Sequence, residues 1–210
     1  MIRRLVSSLL LVPAFLGAQS QQEYAARRAA LVAGMPDGAL VALGAHEPSQ
    51  DYLSFYQSPS FYYLTGFKEP GAALIVVKQG GRVVSSTMFV QPRLPSREVW
   101  TGSRLGVEGV AKLTGTKGRD AEDLPKVLDS LAGAGVAMAV VGDLGEGAEG
   151  TPSLMDARSP DAQVFDRLRA KYASLKVTPF NQAVERARGR KSEAELRRIR
   201  QAVDITVLVG

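Results

Sequence analysis

Two short apolar runs, Ala72–Val77 and Val83–Val90, are separated by little more than Gln79-Gly80-Gly81. Their length and their Val and Ile content favour strands over helices, and a Gly-Gly link that short favours a hairpin. An aromatic segment, Phe61-Tyr62-Tyr63-Leu64 with Phe67, precedes them. A polar segment, Arg97-Glu98-Val99-Trp100-Thr101-Gly102, follows them and carries the only tryptophan. Aromatic opening, hairpin and a charged loop with one large ring read as a scaffold that presents a surface.

The chain has 210 residues, 45% of them hydrophobic and 22% charged, the balance of a globular protein able to bury a core. That length allows one large domain or one and a half ordinary ones. The net charge of +5 invites a nucleic-acid reading, but its distribution opposes one. Arg3 and Arg4 belong to a leader, and Glu185–Arg200 holds seven basic against three acidic side chains, so the remainder is near neutral. A basic patch confined to one linker and one helix reads as a solvated or docking face. With no cysteine, neither disulfides nor thiolate metal sites can form.

Residues 1–18 read as a signal peptide: Arg3 and Arg4, the apolar run Leu5–Leu16, then Gly17-Ala18 for cleavage. The run is shorter than the roughly 18–20 apolar residues that span a bilayer, so the expectation is export with no membrane anchor after cleavage. Tyr24, Arg28, Leu31 and Val32 predict a helix over 22–35, with Arg27 and Arg28 at its polar edge. A turn at Pro36-Asp37-Gly38 leads to a buried strand, Ala39–Leu43. The loop 44–57 holds His46, the only histidine, read as having no special role. Ser58-Pro59 predicts a capped helix start.

Beyond the hairpin, helices are expected over 107–113, 124–131 and 161–172, and strands over 136–141 and 175–178. Asn181 is expected to cap a further helix reaching Arg188. Asp143, Glu146 and Glu149 lack the spacing of a calcium loop and read as solvated. Strands alternating with helices, plus one hairpin, predict an α/β mixed sheet flanked by helices. No Ser/His/Asp set, metal cluster or phosphate-cradling glycine loop is present, so neither catalytic nor metal-binding residues are assigned. Ser192-Glu193-Ala194-Glu195 is a capping box. It opens a helix with Leu196, Ile199, Val203 and Val207 on one face, read as the start of another, truncated domain.

Phe61-Tyr62-Tyr63-Leu64-Thr65-Gly66-Phe67-Lys68-Glu69-Pro70 resembles the signature of the aminopeptidase P N-terminal domain, in the creatinase and prolidase superfamily. Pro92-Arg93, Glu98-Val99-Trp100-Thr101-Gly102, Arg104-Leu105-Gly106 and the linker around Lys191-Ser192-x-x-Glu195 resemble it in the same order. Phe55–Ser60 departs from the pattern, lacking an Arg and an Asp common there. The resemblance implies three segments: a signal peptide (1–18), an N-terminal domain (19–187), and a linker with the first helix of a pita-bread metallopeptidase domain (188–210).

It further implies that full-length relatives remove the residue before proline. They use two Mn²⁺ ions held by Asp, Asp, His, Glu and Glu of the following domain, so this chain is expected to bind no cofactor itself. It implies a homo-oligomer acting on proline-containing peptides, with Trp100 lent to a neighbour's substrate pocket. The function expected is the non-catalytic N-terminal domain of an exported Xaa-Pro aminopeptidase, with no nucleic-acid partner. The alternative is a free-standing binding or oligomerisation module that has lost the peptidase half.

Overall fold

The computed structural model describes residues 21–50, 53–145 and 157–209. The expected leader, 1–18, and Glu146 and Glu149 lie outside the described residues. Helix α1 (Gln21–Ala33) leads into β1 (Gly38–Leu43), α2 (Pro59–Thr65) and the hairpin of β2 (Ala73–Gln79) and β3 (Arg82–Val90). Then come α3 (Pro95–Thr101), α4 (Gly106–Thr114), β4 (Lys117–Asp120), a 3₁₀ turn (Ala121–Asp123), α5 (Leu124–Gly133) and β5 (Met138–Val141). The order closes with α6 (Pro160–Lys171), β6 (Val177–Pro179), α7 (Asn181–Gly189) and α8 (Glu193–Val209).

The strands form one mixed sheet in the order β4-β3-β2-β1-β5-β6. β2 pairs antiparallel with both β1 and β3, and the remaining pairs are parallel. Five strands therefore run one way and β2 alone runs back, so the carboxyl ends of β1, β3, β4, β5 and β6 share one end of the sheet. Side chains alternate between faces along each strand. Leu40, Ala42, Leu74, Val76, Met88 and Val90 pack with Phe61 and Leu64 of α2, Phe67 just beyond it and Val110 of α4 on one side. Val41, Ile75, Phe89 and Val140 pack with Leu128 of α5 and Phe165 of α6 on the other. That is the predicted helix-flanked mixed sheet.

The hairpin turn is Gly80-Gly81, with φ of 58° and 74°, a left-handed pair that glycine adopts without steric cost. Asp37 locks it, accepting from Gly80 N at 2.6 Å and Gly81 N at 2.9 Å. Lys78 Nζ donates to Val32 O, Ala33 O and Met35 O, neutralising the carbonyl end of α1.

Four expectations need correction. The segment around Trp100 is not a loop but the short helix α3, started by Pro95, which suits a first helical turn because it has no N–H to satisfy. Arg28 lies not at a polar edge but buried, 7% exposed, where it donates to Leu64 O at 2.9 Å and Thr114 O at 2.7 Å. Ser58 precedes α2 without a side-chain cap; Gln57 Oε1 instead accepts from Ser58 N and Ala45 N. Asn181 is the first residue of α7, and its amide bridges back to Gly142 N and O. β4 is a strand that the sequence reading did not contain.

The capping box forms as expected: Ser192 N donates to Glu195 Oε2 and Glu195 N to Ser192 Oγ. Ser192 Oγ also donates to Glu23 Oε1, and Arg27 pairs with both Glu23 (2.6 Å) and Glu195 (3.1 Å). The first turn of α8 is thereby fastened to α1, while Ile199, Val203, Ile205 and Val207 farther along are exposed. No helix among the described residues is long and apolar enough to cross a membrane.

Candidate functional site

The aromatic motif is mainly packing. Phe61, Leu64 and Phe67 are fully buried, and Thr65 Oγ1 donates to Phe61 O while accepting from Phe67 N. Gly66 ends α2 at φ 69°, and a Cβ there would lie 2.4 Å from the Tyr24 ring. Tyr63 lies under the Arg27 guanidinium at 4.3 Å, and burial pushes its phenol upward, as it does for Tyr24. Glu69 faces the next segment, its Oε1 accepting from Leu105 N at 2.8 Å; its Oε2 is buried without a hydrogen-bond partner among the described residues.

Trp100 is the contrast. It is 88% exposed, the most exposed large hydrophobic side chain among the described residues. α3 holds it out and is braced by Arg93, whose Nε and NH2 bond both oxygens of Glu98 at 3.1 and 3.0 Å. The Arg93 hydrogen bond is the main reason that the Glu98 carboxyl lies below the usual carboxylate range. A backbone hydrogen bond from Arg104 also holds the Glu98 carboxyl down. Arg104 reaches Glu47 at 3.0 Å, tying the loop after β1 to the segment after α3.

Trp100 stands on the rim of an open groove of about 940 Å³, with Leu53, Phe55 and Leu94 also in its walls. The groove lies beyond the carboxyl ends of β1, β3 and β4, contributed by Glu47, Gln91 and Asp120. Open α/β sheets characteristically bind ligands at this end, because loops converge there and backbone groups are left free.

His46, read as having no role, has a partner: its Nε2 lies 2.9 Å from Asp161 Oδ1. Asp161 is 7% exposed, and its Oδ2 accepts from Asp143 N at 3.0 Å. The pair fastens the loop after β1 to the start of α6. Asp143 itself serves the backbone, accepting from Gly145 N. No group of three or more His, Cys, Asp or Glu side chains able to hold a metal ion comes together among the described residues. The two-metal site expected of full-length relatives therefore does not fit the described side chains, and no hydrolytic step is assigned to them.

The family model for "Aminopeptidase P, N-terminal domain" matches residues 24–138. The chain belongs to the aminopeptidase P N-terminal domain family. Xaa-Pro aminopeptidase 3 of Dictyostelium discoideum is 39% identical over 98 residues, covering 45% of this chain and 19% of that protein. The Xaa-Pro aminopeptidase of Haemophilus influenzae is 35% identical over 127 residues, covering 56% of this chain and 29% of that protein. Among solved structures, aminopeptidase P from E. coli with the inhibitor Pro-Leu superposes with a TM-score of 0.72 at 25% identity, over 91% of this chain and 44% of that one. The chain thus spans less than half the length of these relatives.

The matched region runs from Tyr24 to Met138 and includes the signature helix, the hairpin and α3 with Trp100. Two residues that hold the loop after β1 gave no signal in the sequence. Gln57 holds Ala45 N, Ser58 N and Glu69 O, and Asp161 holds His46 from 115 positions away. A Gln before Ser-Pro gives no local signal, and a pairing so distant leaves none.

Proposed function

We propose that this chain is the non-catalytic N-terminal domain of an exported Xaa-Pro aminopeptidase. In this reading residues 1–18 direct export, 19–187 form the α/β domain and 188–210 lead into the metallopeptidase half, which holds two Mn²⁺ ions. The domain supplies contacts in a homo-oligomer and presents Trp100 to the wall of a neighbour's pocket for proline-containing peptides. The observation that supports it most is the exposed Trp100 on a short helix braced by the Arg93–Glu98 pair. A flat aromatic face suits a proline ring, which can lay its apolar face against it and bury surface.

The purified chain is assayed with Mn²⁺ and an X-Pro peptide, and no release of the first residue is expected. Release above background overturns the assignment of the chemistry to another domain. N-terminal sequencing of the secreted product tests export, with cleavage expected after Ala18. The second reading, a free-standing binding module, draws on the groove beside Trp100, with Leu53, Phe55 and Leu94 in its walls. Sizing chromatography separates the two, since such a module forms a defined oligomer without a peptidase half.

A further inference from the structure

The helix that carries Trp100 is fastened at both ends, and the fastenings differ in kind. At its start, Arg93 grips Glu98, but the Arg93 side chain is 59% exposed and solvent weakens such a pair. Beyond its end, Arg104 reaches Glu47, which is half open to solvent. The third contact comes from the aromatic signature. Glu69 Oε1 accepts from the backbone N–H of Leu105 at 2.8 Å, across 36 positions of sequence. Leu105 is the N-cap of α4, and its own side chain offers no cap hydrogen bond. In a capping box the helix's third residue reaches back to that N–H; here the carboxylate is supplied from outside the helix. It also sets a negative charge at the helix's N-terminal end, where charge of that sign is favoured.

Glu69 is well placed to hold its partner. Its Oε2 is buried, so the carboxylate does not swing in solvent, and Gln57 Nε2 donates to Glu69 O at 2.9 Å, fixing the backbone beneath it. Gly106, at φ 65°, lets α4 start against the Arg93 stem: a Cβ there would lie 2.7 Å from Arg93 Cγ. The arginine that grips α3 is thus wedged against the first residue of α4. Where α4 begins decides where α3 stands.

We propose that Glu69 is a positioning residue for Trp100. By holding Leu105 N it fixes the elbow between α3 and α4, and so sets where the indole is presented. This rests on the reading of Trp100 as part of a neighbour's pocket only for its purpose; the contact itself is measured in the free chain.

Trp100 is the only tryptophan, so the anisotropy decay of intrinsic emission reads how tightly that one ring is held. Glu69→Ala is expected to lose the slow decay that follows molecular tumbling, in favour of fast local motion. Glu69→Gln, which keeps an acceptor oxygen, is expected to restore it. Leu105→Pro removes the donor instead. The φ of −69° there already suits a proline ring, and the leucine side chain is exposed. This variant should match Glu69→Ala, and the double variant should be no worse than either, as for two groups acting through one bond. Amides of α3 should exchange about tenfold faster in both, while those of β1 and β2 keep their protection.

A slow decay retained in Glu69→Ala, no restoration by Glu69→Gln, or losses that add in the double variant would each overturn the proposal. Lost protection in β1 and β2 would overturn it too, making Glu69 a residue of the fold as a whole. The decay is read whether or not the chain assembles, so failure of the oligomer reading, seen by sizing chromatography, is told apart from failure here.

Discussion

Arg28 shows how far a single side chain can depart from its helical pattern. It lies on the inward face of α1, and its guanidinium reaches the last carbonyls of two other helices, Leu64 O of α2 and Thr114 O of α4. Burial lowers its pKa, yet arginine stays charged because its ordinary value is so high. Arg28→Met keeps the stem but leaves both carbonyls unsatisfied. Hydrogen bonds to charged groups contribute about 1.5–3 kcal/mol each, so a loss of about 3 kcal/mol is expected, read as a lower urea midpoint with an unchanged slope. Periodicity placed Arg28 on the helix but could not say that its partners lay 36 and 86 residues away. His46 and Asp161 escaped for the same reason, whereas Trp100 stood out as the chain's sole indole on a polar segment.

Elements with strong local chemistry were legible beforehand. β1 and the hairpin carried continuous apolar runs and a Gly-Gly turn, and the capping box of α8 formed as its spacing required. β4 was not legible: Lys117-Gly118-Arg119-Asp120 has no apolar period and is a strand only because β3 offers it an edge. α3 was hidden by its charge, since Arg97 and Glu98 resemble a loop until Pro95 is recognised as its opening residue.

Two element-scale experiments follow. Gly80→Val forces a β-branched residue to positive φ, at a cost of about 1–2 kcal/mol, and should lower the thermal midpoint by several degrees. Arg27→Met removes the cation shared by Glu23 and Glu195. Amides of α8 should then exchange faster with deuterium while those of β1 and β2 keep their protection.

At the scale of the whole molecule, acid sensitivity is set by carboxylates that gain partners on folding. Glu98, Asp123 and Asp129 lie below their ordinary pKa values, chiefly through hydrogen bonds from Arg93, Arg119 and Lys171. A depressed folded pKa means that the unfolded chain takes up protons first. The stabilisation is complete above the ordinary values of 4.5 and 3.8 and is lost as pH falls through the folded ones. Urea midpoints should thus show no contribution from these groups to pH dependence between pH 6 and 7, and should drop below about pH 4. High salt should shrink the drop, because all three pairs face solvent. A final consequence comes from the fastening of Ser192 and Glu195 to Glu23 and Arg27, which brings the entry and exit of the α/β unit side by side. A unit with adjoining ends can be spliced as a cassette into a surface loop of a host protein, or circularly permuted through a short bridge, without stretching either partner.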